Sequence, residues 1–224
     1  MDALKLAQLM CSRLCHDLIT PVGALSSGLE IIHENLDNLD AELMDLTMQS
    51  AQNAAQRLMY YRAAFGFSGL NLFKTPPKVQ ELLAGYLKAA KITLDWSCAY
   101  PEALHEIFQE RTRILLNVAG IMAECAPYGG TFHITITPTD SNQDLVYDFD
   151  LQGDLVALKS VNHLALRGEL PEDTITPHNV QSYLTALFLD QKEAVLSLET
   201  STPGHLRGRI VGASVTAQKM GTLF

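Results

Sequence analysis

Residues 12–22 read Ser12-Arg13-Leu14-Cys15-His16-Asp17-Leu18-Ile19-Thr20-Pro21-Val22. How this stretch sits on a helix decides the fold. Apolar and small residues recur around it as Leu4, Ala7, Cys11, Leu14, Leu18, Val22, Leu25, Leu29, Ile32 and Leu36. Steps alternating between three and four predict one amphipathic helix, about 45 Å long at 1.5 Å per residue. Leu14 and Leu18 then face inward and His16 points outward, with Thr20, Gly23 and Ser27 further along the outward face. Small residues beside an exposed histidine leave room for another protein's active site. Pro21 removes a backbone hydrogen bond and kinks a regular helix, so its place just after His16 calls for a reason beyond helix formation.

The segment Asn35-Leu36-Asp37-Asn38-Leu39-Asp40 supplies turn and N-cap residues, and Glu42 falls in the first turn of the next helix. A second helical pattern runs through Leu43, Leu46, Ser50, Ala54, Leu58, Tyr61 and Phe65, stopping at Gly66 and Gly69. Two such helices form a long antiparallel hairpin. A hairpin alone cannot bury both stripes, and pairing with a second copy in a dimeric four-helix bundle is the simplest remedy. Tyr60, Tyr61, Phe65 and Phe67 near the end of this helix read as core, with packing on the second domain as the alternative.

After Thr75-Pro76-Pro77 the pattern changes. Helices are expected at Val79–Leu87, Glu106–Glu124, Asp154–His163 and from Pro177 to about Asp190. Strands are expected at Ile92–Trp96, Thr131–Thr137, Leu145–Leu151, Ala194–Glu199 and Arg207–Ser214. This predicts an α/β sandwich with helices on one face, and domains spanning residues 1–70 and 76–224.

Composition narrows the function. With 47% hydrophobic and 18% charged residues the chain can build a core and is not disordered. The net charge of −9, with no run of Lys and Arg, argues against nucleic acid as a partner. No export signal is read in Met1–Leu9 and no span of about 18 apolar residues occurs, so a cytoplasmic protein without a membrane partner is expected. Cys11 and Cys15 lie one turn apart beside His16, but Cys98 and Cys125 are isolated, so reduced, buried thiols are expected and no metal site. His33 lacks the acidic and proline context of His16, and His105, His133, His163, His178 and His205 share no spacing that suggests a metal.

His16-Asp17-Leu18 followed by Thr20-Pro21 resembles the phosphoacceptor box of two-component sensor histidine kinases, usually His-Glu-Leu-Arg-Thr-Pro-Leu, with Asp17 for the glutamate and Ile19 for the arginine. The kinase ATP-binding motifs have eroded. Asn117-Val118-Ala119-Gly120-Ile121-Met122 places Ile121 where the metal-binding asparagine belongs, and an isoleucine cannot coordinate a cation. Asp150-Leu151-Gln152-Gly153-Asp154 has one glycine where the Asp-x-Gly-x-Gly loop has two, and Val180-Gln181-Ser182-Tyr183-Leu184 replaces the glycine-rich lid.

An intact histidine box beside a degenerate ATPase-like domain resembles the ChpT-type histidine phosphotransferases of alphaproteobacteria. The resemblance implies a homodimer that takes a phosphoryl group from the receiver domain of a CckA-like hybrid kinase. It then delivers the group to CtrA-like and CpdR-like response regulators. No cofactor is implied, magnesium being expected on the receiver. His16 is then the nucleophile and Asp17 its hydrogen-bond partner, with Thr20, Pro21, Gly23, Ser27 and Arg62 on the docking surface and Arg57 a further candidate. Imidazole titrates near pH 6.5 and is a workable nucleophile at neutral pH. An atypical kinase and a non-catalytic scaffold or inhibitor of two-component proteins stay open on the sequence alone.

Overall fold

The computed structural model describes residues 1–36, 40–66, 73–200 and 202–213. Helix α1 spans Ala3–Glu34 without interruption at Pro21, and the Asp2 side chain caps it by accepting from the Lys5 amide at 2.8 Å. Helix α2 spans Ala41–Phe65, capped by Asp40, and the Gly66 amide closes it on the Arg62 carbonyl. Gly28 lies against Thr47, while Asp17 lies against Arg57 and Tyr61, so the two helices run in opposite directions. A Cβ at Gly28 would collide with the Thr47 side chain, which is why glycine stands at this close approach.

The remaining elements are α3 (Pro76–Lys88), β1 (Ile92–Cys98), α4 (His105–Ala123), β2 (Gly130–Pro138), β3 (Leu145–Gln152), α5 (Ser160–Leu166), α6 (Val180–Gln191), β4 (Ala194–Glu199) and β5 (His205–Gly212). The strands form one sheet in the order β1-β2-β3-β5-β4. β1 and β2 are parallel with α4 as the crossover, and the other pairings are antiparallel. Alternation along the strands sorts the two faces. Phe132, Ile134 and Ile136 on β2 and Leu145, Tyr147, Phe149 and Leu151 on β3 are buried. His133, Thr135, Asp148 and Asp150 line the open face with Arg207 and Arg209.

One expectation needs correction. Residues 154–159 are not helical, and α5 begins only at Ser160. Tertiary backbone bonds override their propensity: the Ala157 amide donates to the Cys125 carbonyl at 2.9 Å and the Gly153 amide to the Gly204 carbonyl at 3.0 Å. The Gly69 stop, Phe67 and Ser214 lie outside the described residues.

The end of α2 belongs to the core of the second half. Tyr60, Tyr61, Ala63 and Ala64 are buried there, Phe65 is half-buried against them, and Tyr60 stacks on Tyr86 of α3 with ring centroids 3.7 Å apart. The outer surfaces of the long helices differ. Leu4, Ile19, Val22 and Leu29 on α1 and Met44, Leu46, Met48, Leu58 and Met59 on α2 are exposed. Among the described residues no helix is long and apolar enough to cross a membrane.

Candidate functional site

His16 and Asp17 are adjacent in sequence and opposite in environment. The His16 side chain is 67% exposed and that of Asp17 only 11%. One Asp17 oxygen, Oδ1, faces His16 Nδ1 at 3.2 Å. The other, Oδ2, accepts from Arg13 Nε and from the Tyr61 hydroxyl, both at 2.6 Å. Burial on its own raises the Asp17 pKa, but the hydrogen bond from Tyr61, the Arg13 charge and the bond from His16 outweigh it and hold the carboxyl below its ordinary value. An ionised carboxylate only accepts. Nδ1 of His16 therefore carries the proton and donates, leaving the lone pair of Nε2 open to solvent. Burial drives the Tyr61 pKa upward, so its hydroxyl stays a donor.

The reason for Pro21 is visible one turn back. In a regular helix the amide of residue 21 would bond the carbonyl of residue 17, and proline has no such amide. Arg57 of α2 supplies the missing donor, its Nη1 reaching the Asp17 carbonyl at 3.3 Å. Pro21 thus exchanges an intrahelical bond for one that places a cation beside the histidine.

His16, Thr20, Pro21, Asn53 and Arg57 line a groove of about 390 Å³. Gly23 and Ser27 are exposed further along α1, and Gly23 faces open space. Arg62 is exposed but lies outside this groove, where Arg57 takes the place expected of it. Asp17 is not a solvated surface carboxylate. Cys11 and Cys15 are exposed instead of buried, because they share the outer apolar stripe of α1 with Ile19 and Val22. Cys125 is buried, which pushes its thiol up to about 12. Among the described residues no three His, Cys, Asp or Glu side chains cluster to hold a metal.

Four members of the site are not picked out by the sequence pattern. Arg13, four residues before Asp17, carries a legible signal in its i, i+4 spacing. Tyr61 reads only as core. Glu124, just past α4, takes the Arg13 Nη2 in an ion pair, and the His178 ring stands edge-on to His16 with centroids 5.6 Å apart at 84°. Nothing in the spacing of residues 124 and 178 points to residue 16.

Residues 76–204 match the family model described as histidine phosphotransferase C-terminal domain. The protein phosphotransferase ChpT of Brucella abortus (strain 2308) is 30% identical over 202 residues, covering 90% of this chain and 93% of its own length. The chain belongs to the histidine phosphotransferase family. A solved structure of a bacterial phosphotransferase overlays with a TM-score of 0.76 at 27% identity, covering 94% of this chain and 97% of that one. The histidine kinase AdeS of Acinetobacter baumannii is a remoter likeness, with a TM-score of 0.44 at 12% identity over 88% of this chain and 96% of that one.

The matched family domain begins well after His16, so the role of that residue rests on its motif and its geometry. Within the domain Ile121 is buried in a cavity lined by Val118, Met122, Leu158, Leu166 and Leu206, all apolar. Asn117 is fully buried, its Nδ2 donating to the Ala64 carbonyl at 3.0 Å and the Arg113 carbonyl at 2.9 Å. Asp150 points to the open face of the sheet, with His205 at 3.0 Å and Arg207 at 3.6 Å.

Proposed function

We propose that this histidine phosphotransferase relays a phosphoryl group between receiver-domain aspartates on His16, without ATP-dependent autophosphorylation. The observation that carries the reading is the clamp on Asp17. Two donors fix one carboxylate oxygen and leave the other to orient His16, whose far nitrogen faces a groove open to another protein. Nε2 attacks the phosphorus of a docked aspartyl phosphate in line. The P–O bond breaks as the N–P bond forms, the receiver's aspartate leaves as a carboxylate, and Nδ1 keeps its proton. Asp17 offsets the positive charge on the ring, and Arg57 flanks the incoming group. Phosphoryl transfer needs positioning and charge neutralisation above all. Magnesium held by the receiver supplies part of that neutralisation.

The domain from residue 76 onward takes no nucleotide in this reading, and residues 1–70 form the dimerisation and phosphotransfer unit. The buried Ile121 and its apolar cavity favour that view, since neither offers a ligand to a magnesium-bound phosphate. Dimerisation closes the two hairpins into a four-helix bundle. The exposed stripe on α1 and α2 favours it, because so many large apolar side chains facing water on one monomer mark an interface. The partners are the receiver domain of a CckA-like hybrid kinase and CtrA-like and CpdR-like response regulators, all met in the cytoplasm.

The test mixes purified protein with receiver domains carrying labelled aspartyl phosphate. Label is expected on wild type and absent from His16→Ala. Equal labelling of the two refutes the site, and no labelling of wild type from any of a panel of receivers refutes the relay.

A further inference from the structure

The turn that enters α6 is built to hold one side chain against α1. Buried Asn179 accepts from the Thr176 amide through Oδ1 at 2.8 Å, while its Nδ2 reaches the Thr174 carbonyl at 3.5 Å. The same segment is tied to the start of α1, where Lys5 Nζ donates to the Glu172 carbonyl at 3.2 Å and the N-terminal amine pairs with the Glu172 side chain. Between these ties stands His178, its ring 5.6 Å from that of His16.

The groups around the two rings are Arg13 and Asp17 from α1, Arg57 and Tyr61 from α2, Tyr86 from α3 and Glu124 after α4. The two arginines are each anchored. Arg13 is shared between Asp17 and Glu124, and Arg57 is bound to the Asp17 carbonyl. The His178 imidazole has no hydrogen-bond partner among the described residues.

We propose that His178 is a second histidine of the phosphotransfer site, contributed by the family domain, whose imidazole holds the phosphoryl group carried on His16. This rests on the reading of His16 as the carrier. Transfer leaves a phosphoryl dianion on Nε2 beside the Asp17 carboxylate, with the ring's own positive charge and Arg57 as the cations at hand. His178 takes a proton from solvent and donates it in a hydrogen bond to a phosphoryl oxygen. This hydrogen bond holds the resting phosphohistidine, while the charge neutralisation that drives transfer arrives with the receiver. The phosphohistidine therefore persists until a receiver arrives.

The experiment loads the full chain with phosphoramidate and follows phospho-His16 by phosphorus NMR and peptide mass spectrometry. Wild type is compared with His178→Ala and His178→Arg. Residue 178 lies outside the buried core, so neither change disturbs the packing. His178→Ala is expected to lose phosphate about fivefold faster, the scale of an exposed charge pair. His178→Arg is expected to keep the wild-type lifetime. Equal lifetimes for wild type and His178→Ala overturn the proposal, as does a His178→Arg variant as short-lived as His178→Ala. Phosphate found on His178 in place of His16 overturns it too. Undiminished labelling of His16→Ala by phosphorylated receivers sinks the carrier reading itself, whatever the lifetimes.

Discussion

The two long helices and the mixed domain behind them divide the work unevenly. α1 carries His16, the proposed carrier, and buries little of itself: Arg13 and Gly28 are its buried residues, and Ile19 is 70% exposed. The mixed domain buries Phe108, Phe132, Leu115 and Tyr147 completely. Stability and chemistry therefore sit in different places. They meet at Arg13, where α1 reaches Glu124, and at His178, which leans back toward His16. The family domain serves in this reading as the frame that completes the histidine's surroundings.

Changing one residue in each region puts this division under the greatest strain. His16→Ala is expected to abolish phosphoryl uptake while shifting stability by less than about 0.5 kcal/mol, as exposed substitutions do. Phe132→Ala removes a fully buried ring from the sheet and should cost about 3–5 kcal/mol. Paired uptake assays and urea melts read both. A large loss of stability in His16→Ala, or a mild one in Phe132→Ala, means the two roles are not separated as described.

A second contrast lies within the helices, between the side that faces the domain and the side that faces water. Ile19→Asp places a charge in the middle of the outer stripe. In the monomer it alters nothing buried, so its whole effect is expected in assembly. Sedimentation should show a dimer for wild type and a dimer at least about tenfold weaker for the variant, since burying an unpaired charge costs several kcal/mol. Far-ultraviolet circular dichroism should be unchanged. A wild-type monomer at micromolar concentration would remove the four-helix bundle from the proposal.

Much of this architecture is legible in the sequence because it is local. The periodicities of α1 and α2 set both helices to within a few residues. The strand alternation locates every strand, and the histidine box singles out residue 16. The illegible part depends on distance along the chain. Glu124 and His178 join the site only through tertiary packing, 111 residues from Arg13 in the first case. The parallel pairing of β1 and β2 follows from the α4 crossover and not from either strand. Residues 154–159 read as helix by composition and are held open by bonds to Cys125 and Gly204. Pro21 stands out in the sequence as an anomaly, and its explanation needs Arg57, which lies 40 residues from Asp17.

Asp17 gives the smallest and most specific test, because it stands on the border between the two regions. Its folded pKa lies below the ordinary value of 3.8, through the Tyr61 hydrogen bond and the Arg13 charge acting against burial. A depressed carboxyl pKa means the unfolded chain binds the proton more readily than the folded one. The stabilisation is then fully present above the unfolded pKa, and it is lost as pH falls through the folded one. Asp17→Asn should therefore be less stable than wild type at pH 7, by on the order of 1 kcal/mol for one charge-assisted hydrogen bond. Urea melts between pH 7 and pH 3 should show that gap closing only below about pH 4. Uptake at pH 7 should fall about tenfold in the same variant, because the amide no longer fixes the proton on Nδ1 of His16. Tyr61→Phe removes one of the two donors to Oδ2 and leaves the carboxylate ionised, so it should narrow the gap without abolishing uptake. If Tyr61→Phe instead costs as much uptake as Asp17→Asn, the hydroxyl and not the carboxylate orients the histidine.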